Sequence, residues 1–431
     1  MRPTSFMLVA GEASGDLLAA ELAGALREEL APVQARPTPD YQPLRASLEP
    51  RFFGAGGPRM AAAGVELAFD MTAHSVIGLS EVVRHYATFR RLFQRLYELA
   101  LERQPDAVIC VDFTGFNRRF AHALKQRVRE QSDWFHDWEP KLIQYVSPQV
   151  WASREGRARQ MARDFDLLLS IIPFEKAWFA QRVPEFRVEY VGHPMVDRYG
   201  KTPLSASRTS DDGASSALNL VLLPGSRPGE LRRHLPLLLE AAKRVTAQTQ
   251  ARLRMVLPDE ALAQSARPLT SQVPRLEVQV GRLAEALSQA DLALTKSGTV
   301  TLECAFCGVP AVVFYKTSPA TYLAGKLLVR VKYLAMPNLL ANEPLFPEFV
   351  QGAATAENLA RAAIELLRDG QRRAGIRARL VEIVASLGLP GASRRAARAI
   401  IELLEPEADA KGVAHTSPGR AERSPGFAVQ G

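Results

Sequence analysis

The sequence predicts an α/β protein made of two parallel-sheet halves, and three observations carry that prediction. Short apolar runs alternate with helix-patterned stretches, the signature of strand–helix–strand units whose strands are covered on both faces. The alternation stops once, at a polar stretch, and then restarts. Finally, 431 residues at 47% hydrophobic and 23% charged is ordinary globular composition, long enough for two or three separate cores.

In the first half, SFMLVAG (5–11), RFFGAG (51–56), DAVICVDF (106–113), KLIQYVSP (141–148), DLLLSIIP (166–173) and VEYVGH (188–193) read as strands, with helices such as 17–30 and 86–103 between them. Residues 198–219, RYGKTPLSASRTSDDGASSALN, are rich in Ser, Gly and Asp and poor in large apolar residues, so they read as a linker or long surface loop. Beyond it NLVLLPG (219–225), RLRMVLP (252–258), RLEVQV (275–280), DLALTKSG (291–298) and VPAVVFYK (309–316) repeat the rhythm. The expected organisation is a first domain over 1–197, a linker over 198–219 and a second domain over 220–404, whose last helix is placed to pack back on the first domain. A polar, low-hydrophobicity tail over 405–431 reads as disordered.

Net charge is +8, from 54 Lys and Arg against 46 Asp and Glu. That excess suits an anionic substrate or membrane surface, and equally a solvated basic face with no partner. Three cysteines exclude a disulfide scaffold and fit a reducing compartment. No run of 18 apolar residues is present, and the apolar run at the start is too short for a signal peptide, so the expectation is a cytoplasmic protein.

Ligands of open α/β sheets collect at the carboxyl ends of strands, where loops enter helices. Four stretches have that address. In AGEASGDLLAAEL (10–22), Gly11, Ser14 and Gly15 permit a tight turn and Asp16 sits near a helix start; a substrate-facing turn and a plain capped turn fit equally. In AVICVDFTGFN (107–117), Asp112 follows a strongly apolar run, which places it at a strand end as a general base or as a helix cap. In LALTKSGTVTLECAFCGVP (292–310), Ser297, Gly298 and Thr299 open a helix as a diphosphate cradle would, with Glu303 one turn on, in reach of a ribose; a simple N-cap with a buried Glu is the alternative. Arg227, in LLPGSRPGELRRH (222–234), approaches the same phosphates behind the small residues Gly225 and Ser226. Arg232, Arg233 and His234 read as a solvated helix face.

Other signals point to packing. Cys304 and Cys307 form a lone C-x-x-C inside a helix pattern, short of a zinc set. Asp164-Phe165-Asp166 precedes its strand instead of following it, so it reads as a helix-to-strand turn. The histidines have no metal-ligand spacing.

The chain also resembles a known family, the lipid-A-disaccharide synthases. The matching stretches are GEASGD (11–16), GGPRM (56–60), VIGLSEV (76–82), VSPQVWASREGR (146–157), PFEKAWF (173–179) and VGHPMVD (191–197), continuing with LLPGSRPGE (222–230), SGTVTLE (297–303), PNLLA (337–341) and PEFVQ (347–351). The resemblance implies a GT-B fold, two Rossmann-like domains facing a cleft, and an inverting, metal-free and cofactor-free glycosyltransferase. Its substrates would be UDP-2,3-diacylglucosamine and 2,3-diacylglucosamine 1-phosphate (lipid X), its products the β-1,6-linked disaccharide 1-phosphate and UDP. It further implies Asp112 as the base and Asn338 as part of the UDP-sugar pocket, with Gly11, Glu12, Ser14, Gly15, Asp16, Ser147, Trp151 and Arg154 on the acceptor side of the cleft. The chain departs from the family at Thr114 and Gly115, where Pro and often Asp stand, and at Ser153, where a second Trp is frequent. Residues 32–50 and 132–140 look like insertions.

Acylated substrates imply peripheral contact with the inner face of the inner membrane, with 321–336 and 76–93 as candidate contact segments. No nucleic-acid partner is expected, and family members can form homodimers. A lipid-linked N-acetylglucosaminyltransferase of peptidoglycan synthesis, or a non-catalytic lipid- or nucleotide-binding protein on the same scaffold, are the competing expectations.

Overall fold

The structure, a computed structural model, describes residues 2–31, 49–74, 86–131, 137–153, 155–200, 218–319, 322–323 and 331–405. Arg154, nearly all of the linker and tail, and most of the two candidate membrane segments and of the first insertion lie outside the described residues.

Two all-parallel sheets account for the fold. The first has seven strands: β1 (Ser5–Ala10), β2 (Arg51–Gly56), β3 (Glu66–Asp70), β4 (Ala107–Val111), β5 (Lys141–Tyr145), β6 (Leu167–Ser170) and β7 (Val188–Tyr190), in the order β3-β2-β1-β4-β5-β6-β7. The second has six: β8 (Asn219–Leu223), β9 (Arg252–Leu257), β10 (Leu276–Val280), β11 (Leu292–Lys296), β12 (Ala311–Tyr315) and β13 (Glu348–Val350), in the order β10-β9-β8-β11-β12-β13. Helices cover both faces, so central strands are closed off from water: every residue of β1 and β4 is buried. All eleven strands read from the sequence are present, and two short edge strands, β3 and β13, were not expected.

Each order reverses once, between β1 and β4 and between β8 and β11. A crevice opens at such a reversal because neighbouring connections depart to opposite faces of the sheet. Register fixes what stands there. Ala10 pairs with Val111, so Gly11 and Asp112 leave the first sheet side by side; Leu223 pairs with Thr295, so Pro224 and Lys296 do the same in the second.

The chain crosses between the sheets twice. Helix Met195–Tyr199, at the start of the expected linker, contributes Met195, Val196 and Tyr199 to the core of the second sheet. Helix Ala392–Leu404 returns to the first, adding Ala396, Ala397, Ala399 and Ile400 to a core shared with β1, β4, β5 and β6. Asp197 ties the crossings together by accepting from the N–H groups of Gly391 and Ala392 at the start of that helix.

Candidate active site

Two loops carry the first sheet's contribution. After β4 the backbone turns into the left-handed region at Asp112 (φ 51°) and Phe113 (φ 40°) before the helix Thr114–Gln131 begins. A pair of non-glycine residues in that region is strained and persists only where neighbours over-determine it. Here the Asn117 amide holds the turn, donating to the carbonyls of Asp112 (2.9 Å) and Val111 (3.2 Å), and Gln144 adds a donor to Asp112 O at 3.3 Å. Phe113 lies over Gly11, where a Cβ would come within 2.3 Å of its ring. Glycine there is a matter of space.

Asp112 is half-buried, and its carboxyl is held above the usual aspartate range first by burial, then by the charge of Glu12. Hydrogen bonds from the Phe113 N–H and the Ser14 hydroxyl, and the charge of Arg227, pull the other way. Glu12 and Ser14 sit where β1 leads into the helix Ala13–Leu30, and Gly15 brings that helix within van der Waals reach of Asp112. Asp16 takes another direction. Buried at 1% exposure, it accepts from the N–H groups of Gly57 (2.7 Å), Arg59 (2.9 Å) and Met60 (3.1 Å), capping the helix Pro58–Ala62 from outside.

Facing these loops is the turn after β8. Gly225 has φ 131°, a value that favours glycine, and Arg227 caps the 19-residue helix Pro228–Thr246. Arg227 Nη2 donates to Glu12 Oε2 at 2.7 Å, which brings the carboxyl ends of the two sheets together. On the neighbouring strand, Lys296 Nζ donates to Glu230 Oε1 at 3.1 Å, and Ser226 N–H donates to Glu230 Oε2 at 3.1 Å. Gly298 has φ 142°, and Ser297 Oγ donates to Leu334 O at 3.0 Å, anchoring the 297–299 turn before the short helix Val300–Phe306.

Other predicted residues stand further from this meeting point. Glu303 accepts from Tyr199 OH at 3.0 Å, and burial lifts its carboxyl above the ordinary range. Its described partner is thus a tyrosine from the first crossing. Asn338 is fully buried: Nδ2 donates to Phe346 O and Glu348 Oε1, both at 2.8 Å, while Oδ1 accepts from Phe346 N–H at 2.7 Å. Its amide locks a loop. His234 corrects the expected solvated face: it is 1% exposed, with Nδ1 2.7 Å from Pro224 O and Nε2 3.0 Å from Lys316 O, clasping the loops after β8 and β12. The reason is its place on the apolar stripe Leu231, His234, Leu235, Leu238 of its helix.

Sequence reading named Ser147 and Trp151 for the acceptor side but not the carboxylate that holds them. Glu175, 0% exposed at the start of the helix Glu175–Ala180 that follows β6, accepts from Trp151 Nε1 (2.8 Å), Ser170 Oγ (2.5 Å) and Ser147, and burial lifts its carboxyl to about 7. Ser147 and Trp151 are thereby held in the loop after β5, beside the Asp112 loop.

Cys304 and Cys307 are core residues, and Asp164-Phe165-Asp166 is a helix-to-strand turn whose Asp166 ties Lys125 (2.8 Å) to Leu142 N–H (2.7 Å). Among the described residues no group of three or more His, Cys, Asp or Glu side chains is placed to hold a metal. A cavity of about 700 Å³ lies at the other end of the first sheet, lined by Arg2, Arg27, Arg51 and Arg103 among others. Its cations are accounted for locally: Arg27 and Arg103 lie in the last turns of their helices, and Arg103 grips Glu66 with two bonds of 2.6 and 2.7 Å.

Comparison with known proteins agrees with this geometry. The sequence profile of the lipid-A-disaccharide synthetase family matches residues 6–400. The chain is 37% identical over 410 residues to the lipid-A-disaccharide synthase of Myxococcus xanthus (strain DK1622), covering 94% of this chain and 98% of that protein. To the lipid-A-disaccharide synthase of Alkalilimnicola ehrlichii (strain ATCC BAA-1101 / DSM 17681 / MLHE-1) it is 38% identical over 412 residues, 91% of this chain and 97% of that one. Solved structures of similar fold include S. aureus MnaA in its co-structure with UDP, with TM-score 0.55, 14% identity and coverage of 93% and 97%. CalG4, the calicheamicin glycosyltransferase, aligns with TM-score 0.53, 14% identity and coverage of 94% and 99%. With two Rossmann-like sheets meeting at their reversal points and a family profile spanning nearly all described residues, this chain belongs to the lipid-A-disaccharide synthase family of GT-B glycosyltransferases.

Proposed function

We propose that this chain transfers the diacylglucosaminyl group of UDP-2,3-diacylglucosamine to the 6-hydroxyl of lipid X, with inversion, using Asp112 as the base. The observation that carries the proposal is the meeting of Asp112 at one sheet's reversal point with Arg227 at the other's, Glu12 bonding Arg227 while its charge raises Asp112.

In the reaction, the Asp112 carboxylate takes the proton of the acceptor hydroxyl as that oxygen attacks the anomeric carbon. The bond from that carbon to the diphosphate oxygen breaks on the opposite face, and UDP departs with the electron pair. Burial and Glu12 keep Asp112 a better proton acceptor than an exposed aspartate, which is what a base working near neutral pH needs. Arg227 and the small-residue turns at 225–227 and 297–299 receive the negative charge that grows on the leaving diphosphate. Ser147 and Trp151, fixed by Glu175, border the acceptor side of the cleft.

Both substrates carry acyl chains, so the enzyme works at the inner face of the inner membrane; no helix among the described residues is long and apolar enough to cross one. Vesicle flotation with anionic lipid reads that association, and light scattering reads whether the chain dimerises.

The test incubates purified protein with both substrates, with and without EDTA, beside Asp112→Ala. Wild type should release UDP in both conditions, and the variant should lose about a hundredfold or more of the rate. No UDP release from wild type overturns the proposal, and abolition by EDTA overturns its metal-free step.

A further inference from the structure

Lys296 ends β11 at the reversal point of the second sheet, one residue before the 297–299 turn. Its ammonium folds into that turn: a Cβ on Gly298 would lie 3.0 Å from Nζ, so glycine keeps this space open as well as permitting φ 142°. The hydrogen bond to Glu230 Oε1 (3.1 Å) carries Nζ toward the neighbouring 225–227 turn, where the same oxygen lies 4.0 Å from Arg227 Nη1. Arg227 and Lys296 therefore flank one carboxylate, between two turns whose glycines both adopt positive φ.

A structural reading of the pair explains little of this. The two side chains are 17% and 18% exposed, and at that burial the desolvation of a Lys–Glu pair offsets most of its attraction, so stability gives no strong reason for it. An ammonium has three N–H groups, and among the described residues Glu230 is the one acceptor Lys296 has. Two donors remain for a ligand in the mouth that Arg227 also faces. The pair of cations is also chemically complementary: a guanidinium grips two oxygens in a plane, while a compact ammonium fits the narrow space above Gly298.

We infer that Lys296 is a second cation of the diphosphate site, parked on Glu230 and donating to a nucleoside diphosphate oxygen beside Arg227. The inference rests on the UDP-sugar reading given above. Lys296 then raises affinity for the diphosphate part of the donor and leaves the nucleoside part unaffected.

The experiment titrates UDP and uridine separately into the full chain by calorimetry, for wild type, Lys296→Met and Lys296→Gln. Glutamine keeps a donor toward Glu230 but removes the charge, so it separates pairing from phosphate binding. Both variants should bind UDP about ten- to a hundredfold more weakly, the loss of a charge-assisted hydrogen bond, and uridine within twofold of wild type. The KM for the UDP-sugar should rise in step. UDP binding unchanged in the glutamine variant, or UDP and uridine weakened together, overturns the inference. A wild-type chain that binds neither compound refutes the UDP-sugar reading itself.

Discussion

Replacing Glu175 by Gln should remove a loss of stability that the wild type suffers as pH rises through the mildly acid range. The folded chain holds the carboxyl at about 7 against an ordinary 4.5, because it is wholly removed from water. Below pH 4.5 both folded and unfolded chains keep the proton and Glu175 contributes nothing. Between 4.5 and 7 the unfolded chain has released it and the folded chain has not, so stability falls as pH rises. At about 1.4 kcal/mol per pH unit, the loss is roughly 3 kcal/mol once the folded carboxyl ionises.

His193 works in the opposite sense. Burial holds its imidazole down at about 4 against an ordinary 6.5, so it adds stability that is present above 6.5 and lost as pH falls toward 4, again roughly 3 kcal/mol. Across the shared window the two slopes cancel. In Glu175→Gln the amide still accepts from Trp151 while its NH₂ meets Ser170 Oγ, so the fold survives and the Glu175 contribution is removed from the balance. All four tryptophans precede residue 198, so urea unfolding followed by tryptophan fluorescence reports the unit that holds Glu175. The difference in unfolding free energy between variant and wild type should grow by roughly 3 kcal/mol in the variant's favour from pH 4.5 to 7 and be flat outside that window. A difference that does not change with pH refutes the reasoning.

Glu12→Gln removes the charge that pushes Asp112 up and leaves Arg227 to pull it down, so the acid limb of the kcat/KM profile should move to lower pH; a limb displaced upward contradicts the assigned electrostatics. Asp16→Ala strands three backbone N–H groups, those of Gly57 and Met60 out of reach of water, and should destabilise the chain by about 2–4 kcal/mol in urea titrations. A loss below about 0.5 kcal/mol would instead leave Asp16 free for a ligand role.

Strands were legible wherever burial on both faces leaves a continuous apolar run, as in SFMLVA or AVICV. The edge strands ELAFD and EFV escaped notice because each is short, opens on a glutamate and is only partly covered, so neither shows such a run. The positions of Asp112 and Arg227 were legible for a related reason: Asp112 directly follows an apolar strand and Arg227 closes the Pro-Gly-Ser turn after another, and strand ends are where such sheets bind. His234 carried a signal too, since it shares a stripe with Leu231, Leu235 and Leu238, but its polarity suggested solvent.

What local sequence does not contain is the partner that engages each polar group. Asp16 looks like a first-turn acid of its own helix and caps a different one 41 residues on; Asn338 looks like a ligand contact and holds a loop. Glu12 is the telling case, because its partner Arg227 is 215 residues away on the other sheet. Arg227 looked like a lone cation for a leaving group. In the structure it is one of four charges from both sheets, with Glu12, Glu230 and Lys296, so its field is largely neutralised by its neighbours. The carboxylate that holds Arg227 also raises Asp112. If a donor diphosphate draws Arg227 away, Glu12 loses its counter-charge and its repulsion of Asp112 strengthens, which makes the base more basic at the moment an acceptor hydroxyl has something to attack.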